Sequence, residues 1–131
     1  MIKLGVNTVL FKKYSFHEAA KIIKAAGYDG LEISAIKGMC EHLDLDNFRL
    51  QKGYIKSVMQ ETGLAMLSSE VASLDEERLT KAFEAAKELD IPVINVGPGG
   101  KAGDEDSFKE TVEKLAKMSE KAEEYGVILC V

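Results

Sequence analysis

The sequence predicts an α/β protein, a parallel sheet whose strands are joined by helices packed over it. Three observations carry that prediction. Short apolar segments alternate with amphipathic stretches of helical period, the pair recurs at a near-constant interval, and glycine closes most of the helical stretches. "KAAGYDGLEIS", "QETGLAMLSS", "KELDIPVINVG" and "AEEYGVILCV" can be set side by side as helix ends running into strands. With the opening "IKLGVN", strands are expected near residues 2–7, 30–34, 64–69, 92–97 and 127–131. Their starts, near residues 2, 30, 64, 92 and 127, lie 28, 34, 28 and 35 residues apart, the length of one strand–helix unit. Such alternation with short connections implies parallel strands and right-handed crossovers.

Each helix has its own support. The first carries Phe16, Ala19, Ala20, Ile23 and Ala26 as an inward stripe at helical spacing, and Ser15 with Glu18 reads as a capping box. The second is expected over about residues 47–62, with Phe48, Ile55, Val58 and Met59 on one side. Gly53 inside it costs about 1 kcal/mol relative to alanine. The third begins with a second capping box, Ser73 with Glu76, and presents Leu79, Ala82, Phe83, Ala86 and Leu89 to the sheet. The fourth is expected over about residues 106–125, with Phe108, Val112, Leu115 and Ala122 facing inward. Its acidic start, "GDEDSFKE", places negative charge where the helix dipole favours it. Gly27, Gly63 and Gly126 supply left-handed C-caps, and Asp90 takes the equivalent place in the third unit.

Composition places the chain among single-domain globular proteins, with one domain over residues 1–131. The chain is 46% apolar and 30% charged, enough for a core and with no linker-like tract. The N-terminus lacks the pattern of a signal peptide, and no apolar run approaches the roughly 20 residues a bilayer demands. Cys40 and Cys130, without CxxC spacing, suit a reducing cytoplasmic setting and read as buried thiols. A net charge of −5 argues against a nucleic-acid partner, because phosphate binding needs a basic face.

Two closures fit five such strands. One is a complete flavodoxin-like sandwich; the other is a little over half of an eight-stranded barrel. Central strands of a doubly wound sheet are apolar on both faces, whereas a barrel lumen accepts polar groups near its rim. Asn7, Glu32 and Asn95 sit at or near strand ends, while Leu4, Val6, Leu31, Ile33, Ile94 and Val96 alternate with them toward the helices. Glu32 is the clearest sign, since a carboxylate in an apolar strand needs a partner or a wet cavity. The barrel segment is favoured.

"KLGVNTVLF" followed by "SFHEAAKIIKAAGYDGLEIS" resembles the opening of the xylose-isomerase-like barrel superfamily, which includes sugar phosphate isomerases and epimerases, inosose dehydratases and sugar 3-epimerases. "LTKAFEAAKELDIPVINVGPG" is similar to its third helix and fourth strand. The resemblance runs along essentially the whole chain but corresponds to the N-terminal half of such a protein. It implies an eight-stranded TIM barrel in which a glutamate at the end of the fifth strand, and Asp, His and Glu on later strands, hold Mn²⁺, Mg²⁺, Co²⁺ or Zn²⁺. The metal would acidify a carbon-bound proton of a keto or hydroxy sugar, free or phosphorylated, and glutamates would shuttle it. This chain stops where the first ligand is expected, so it reads as a truncated isomerase or epimerase with no metal site and no activity of its own.

C-terminal strand ends face the substrate in parallel barrels, which selects Asn7, Glu32, Ser68, Glu70, Asn95 and Gly97 as candidate substrate-binding residues. Glu32 is expected to organise the lumen through hydrogen bonds rather than do chemistry, and Glu70 reads as a solvated loop residue. "NVGPGGKAG" invites a phosphate-loop reading, but it has neither GxxxxGK[ST] nor GxGxxG spacing and reads better as a rim loop. His17 and His42 are expected at the surface. An endonuclease-IV-type reading fails because Gly97 stands where a zinc histidine is required. A flavodoxin-like binding domain and an engineered half-barrel remain alternatives, the latter predicting homodimers through open sheet edges.

Overall fold

In the computed structural model, which describes Met1–Val131, strands and helices alternate as the spacing predicts. The strands are β1 (Gly5–Asn7), β2 (Gly30–Ile36), β3 (Cys40–Glu41), β4 (Ala65–Glu70), β5 (Val93–Asn95) and β6 (Ile128–Cys130). The helices are α1 (Phe16–Ala25), α2 (Phe48–Thr62), α3 (Glu76–Leu89) and α4 (Glu105–Glu124), with a 3₁₀ turn over Thr8–Phe11. The strand order is β1-β2-β4-β5-β6, all parallel, with β3 attached antiparallel to the outer end of β2.

That order decides between the two closures. Strands enter the sheet in the sequence in which they are made, so same-handed crossovers put every helix on one face. Neighbouring helices accordingly pack in series, α1 on α2, α2 on α3 and α3 on α4. A flavodoxin-like sheet reverses direction once and carries helices on both faces. The chain is therefore singly wound, a partial TIM barrel.

The core lies between the sheet's outer face and the helices. Ile23, Leu31, Ile33, Phe83 and Ile94 are fully buried there, within one continuous apolar cluster. The expected stripe of α3 is buried throughout, and α1 buries Phe16, Ala19, Ala20 and Ile23. Gly63 and Asp90 close α2 and α3 in the left-handed conformation, at φ 65° and 59°. No helix is long and apolar enough to cross a membrane.

Several expectations need correction. β1 begins at Gly5 rather than residue 2, because Leu4 gives its N–H to the Asp29 carboxylate (2.9 Å) instead of a strand. Leu4, expected to face the helices, is exposed. β5 is limited to Val93–Asn95, although its bonds to β6 continue at either side, Pro92 accepting the Ile128 N–H and Val96 donating to the Cys130 carbonyl, both at 3.0 Å. β3 was not anticipated; two residues are too short for a periodic signal. Asp75, not Ser73, caps α3 and accepts the Arg78 N–H at 2.8 Å. On α4, Phe108 and Val112 are exposed, and the inward face is Ser107, Thr111, Leu115, Met118 and Ala122. Ser107 faces in because it serves the preceding loop, its Oγ accepting the Lys101 N–H at 2.8 Å, while Thr111 Oγ1 donates to the Ser107 carbonyl one turn back in α4 at 2.9 Å. Cys130 is only half-buried, lying on an edge strand, whereas Cys40 is buried; both are free thiols.

Candidate functional site

The inner face of the sheet is built around one leucine. A bulge in β4 makes Leu31 pair with Met66 and Glu32 with Ser68, leaving Leu67 as the extra residue. A Cβ added at Gly5 would stand 2.5 Å from Leu67 Cδ1, and one at Gly30 would stand 2.7 Å from Leu67 Cγ and closer still, 2.4 Å, to the Ala65 carbonyl oxygen. Glycine at those two positions thus makes room for Leu67 to fill the inner face. The bulge also shifts the pleat so that Ser68 and Glu70 share the inner face while Ser69 turns to the helices, where its buried hydroxyl has no partner.

Above Leu67, polar side chains from four successive parallel strands converge. Asn7 on β1 pairs in register with Glu32 on β2, Glu32 with Ser68 on β4, and Glu70 with Asn95 on β5. Asn7 Nδ2 donates to Glu32 Oε1 at 2.7 Å and also to Glu70 Oε2. Ser68 Oγ donates to Glu32 Oε2 at 2.6 Å, and Asn95 Nδ2 donates to the same oxygen. Two of these bonds, Asn7 to Glu70 and Asn95 to Glu32, pass over an intervening strand. Strands two apart stand about 9.5 Å from one another, so such bonds suit a concave surface on which side chains lean together. Gly5, Val6, Asn7, Glu32, Leu67 and Ser68 line a cavity of about 200 Å³ there.

The supports behind this cluster are local. Asn7 caps the 3₁₀ turn, its Oδ1 accepting the Val9 N–H at 2.8 Å. Buried Thr8 accepts the Ser34 N–H at 2.9 Å, and Ser34 donates to the Cys40 carbonyl at 2.8 Å, which ties the 3₁₀ turn, β2 and β3 together. Sequence reasoning missed Thr8 and Leu67, because neither a buried threonine nor a bulge leaves a periodic trace.

The structure thus brings together Asn7, Glu32, Ser68, Glu70 and Asn95. Glu70 is the last residue of β4 and half-buried, not a solvated loop residue. Gly97 stands apart, exposed at the head of the loop before α4. That loop does not present an open helix end to a phosphate, since Asp104 already accepts the Asp106 and Ser107 N–H groups at 3.1 Å. His17 pairs with Glu61 at 2.9 Å on the surface. His42 is half-buried, its Nε2 2.9 Å from the Tyr14 carbonyl and its Nδ1 3.4 Å from Cys40 Sγ.

These residues do not by themselves make a metal site. The Asn7 amide lies between the two carboxylates, where a shared cation would sit, and no group of three or more His, Cys, Asp or Glu is placed to hold an ion.

A singly wound parallel sheet with polar groups gathered at its C-terminal rim defines a barrel-type α/β protein. The sequence profile described as xylose isomerase-like TIM barrel matches residues 20–131. The chain belongs to that family. No curated protein matches it by sequence. Among solved structures it is similar to the probable 3-DHS dehydratase AsbF of Bacillus anthracis, with TM-score 0.76, 12% identity, and coverage of 99% of this chain and 52% of that one. The IOLI protein with a bound zinc atom gives TM-score 0.74 and 19% identity, covering 98% and 50%. A sugar phosphate isomerase/epimerase from Parabacteroides distasonis gives 0.71 and 20%, covering 97% and 49%. The chain spans about half the length of these structures.

Proposed function

We infer that the chain forms the first part of a barrel enzyme that isomerises or epimerises a keto or hydroxy sugar, free or phosphorylated. Its share is the wall of the lumen that receives hydroxyl groups, with Asn7, Glu32, Ser68, Glu70 and Asn95 as binding residues. The observation carrying this reading is the convergence of those five side chains, from four neighbouring strands, on the rim where parallel barrels bind substrate. In this reading a divalent ion (Mn, Mg, Co or Zn) is held by residues of the remaining barrel and supplies the Lewis acidity that loosens a carbon-bound proton. A zinc atom in one structural neighbour supports a metal in such proteins. The chain alone, lacking that centre, is inactive. Its setting is the reducing cytoplasm, its ligand a small sugar rather than nucleic acid, and its open sheet edges favour a homodimer.

The test is exchange of a carbon-bound deuterium of a ketose or aldose into solvent. The 131-residue chain shows none with any of the four metals. The full product of its gene exchanges with Mn²⁺ and stops on EDTA. Exchange by the short chain overturns the assignment of the chemistry to other residues. A full product without metal-dependent exchange overturns the enzyme reading itself.

A further inference from the structure

The charges left over after the helices have paired divide between the two open sides of the sheet. Each helix seam is crossed by ion pairs: His17 and Lys21 to Glu61 between α1 and α2, Arg49 and Lys52 to Glu88 between α2 and α3, and Lys117 and Lys121 to Glu76 between α3 and α4. Beside the β1 edge, residues 1–14 carry Lys3, Lys12 and Lys13 and no acidic residue. All three lysines are exposed and stand outside every ion pair of the chain. Beside the β6 edge, α4 has seven acidic residues and four lysines, and two of those lysines are spent on Glu76. Glu105 and Glu123 of α4 are 18 residues apart, about five turns at roughly 3.6 residues each, so they share one stripe. Phe108 and Val112 are exposed along that same side, turned away from Lys117, Lys121 and α3.

A surface of one sign beside each edge selects the partner. Pairing two β6 edges sets acidic helix against acidic helix, and pairing two β1 edges sets lysine against lysine. Like charges facing one another suppress both contacts. Setting β1 against β6 joins opposite charges, and strand direction then aligns them at both ends. Lys12 follows β1 and Glu105 follows β5, so both lie at the C-terminal rim. Lys3 precedes β1 and Glu123 precedes β6, so both lie at the opposite rim. With the strands parallel, Lys12 comes level with Glu105 and Lys3 with Glu123, pairs that attract within the roughly 10 Å over which salt leaves them unscreened. Exposed Leu4 and Leu10 are brought to the side that carries Phe108, Val112 and Ile128.

We propose that a second copy of this chain docks head to tail, β1 of each copy beside β6 of the other, and that two copies close one ring. The concave sheet supplies five parallel strands in series, over half of an eight-stranded barrel. Two copies therefore leave no free edge for a third, and the contact closes instead of growing into a filament. Each copy walls the other's lumen, covering half-buried Leu67 and the polar cluster above it. That arrangement sharpens the homodimer inferred above and does not depend on the enzyme assignment.

The test is a charge exchange read by sedimentation equilibrium of the 131-residue chain in low salt. The unaltered chain is expected to reach twice its own mass and to stop there. Lys3→Glu with Lys12→Glu should weaken the dimer by about tenfold, and so should Glu105→Lys with Glu123→Lys, because each set faces like charges at both contacts. All four substitutions in one chain should restore the original dissociation constant, since every pair is then opposite again. All four positions are exposed, and recovery in the fourfold variant shows that the separate losses are not losses of fold. A dimer joined by two β6 edges would ignore the lysine set, and one joined by two β1 edges would ignore the glutamate set; either result overturns the head-to-tail ring. So do growth beyond two copies and a fourfold variant that stays weak. A chain that is monomeric at every concentration sinks the homodimer along with the ring, whereas a same-edge dimer sinks the ring alone. Neither outcome touches the deuterium-exchange test of the enzyme reading.

Discussion

Leu67 shows how one side chain sets the geometry of a site it does not touch chemically. It occupies the bulge in β4, presses against the missing Cβ positions of Gly5 and Gly30, and forms the floor beneath the polar cluster. Gly5→Ala, where Leu67 Cδ1 is the nearest obstacle, should therefore cost about 1–3 kcal/mol, the usual penalty of overpacking. In a double-mutant cycle read by urea denaturation, Leu67→Ala is expected to relieve much of that cost, because the two changes share one space. Additive effects would show that the close approach is not what selects glycine. Glu32 illustrates the complementary rule. A carboxylate on the inner face is stable there because three donors converge on it, and the same bonds fix the orientations of Asn7, Ser68 and Asn95.

At the scale of elements, the helices owe their register to caps and to charge at their seams. Asn47 begins α2 without a side-chain cap, and Gly53 sits exposed in its middle with nothing within 4 Å of an added Cβ. Gly53→Ala is accordingly expected to raise stability by about 0.5–1 kcal/mol, seen as a higher urea midpoint at unchanged slope. The α2–α3 seam pairs Arg49 with Glu84 and Glu88, and Lys52 with Glu88. Lys81 bridges to Asp46 at 2.7 Å, and Lys117 on α4 holds Glu76 on α3 at 2.7 Å. Hydrogen bonds from Lys81, Lys117 and Lys52 hold the carboxyls of Asp46, Glu76 and Glu88 below the ordinary carboxylate range. Their folded-state pKa values lie below those of the unfolded chain. The stabilisation is thus complete above the unfolded values near ~4 and is lost as pH falls through the folded ones. The urea midpoint should stay level from about pH 8 to pH 5.5 and drop below about pH 4. The Glu76→Gln variant should lose part of that drop, and an unchanged profile would show that the seam contributes nothing.

For the whole molecule, the decisive feature is an open sheet with two free edges. β1 and β6 each pair on one side only, and Ile128 on β6 is exposed. Unpaired edges invite pairing with another chain. Sedimentation at increasing concentration is expected to show self-association of the 131-residue chain, and Ile128→Lys to shift it toward monomer. A chain that stays monomeric at millimolar concentration would refute association through these edges.

The repeat interval, the helical stripes and the strand–helix alternation were legible in the residue order, because each depends on neighbours a few positions apart. Asn7, Glu32 and Asn95 stood out for the same reason, as polar breaks in apolar strands. The stripe of α4 differs from the expected one, since polarity alone favours Phe108 and Val112 over Ser107, whose hydroxyl bonds the preceding loop, and Thr111, whose hydroxyl bonds the carbonyl one turn back. The bulge at Leu67, the antiparallel β3 and the capture of Glu70 by Asn7, 63 residues away, have no local signature. By itself the sequence determined a repeating α/β unit with polar strand ends. Only the tertiary structure decided that the sheet is singly wound and that those ends meet, because strand order and cross-strand bonds arise between residues the chain keeps far apart.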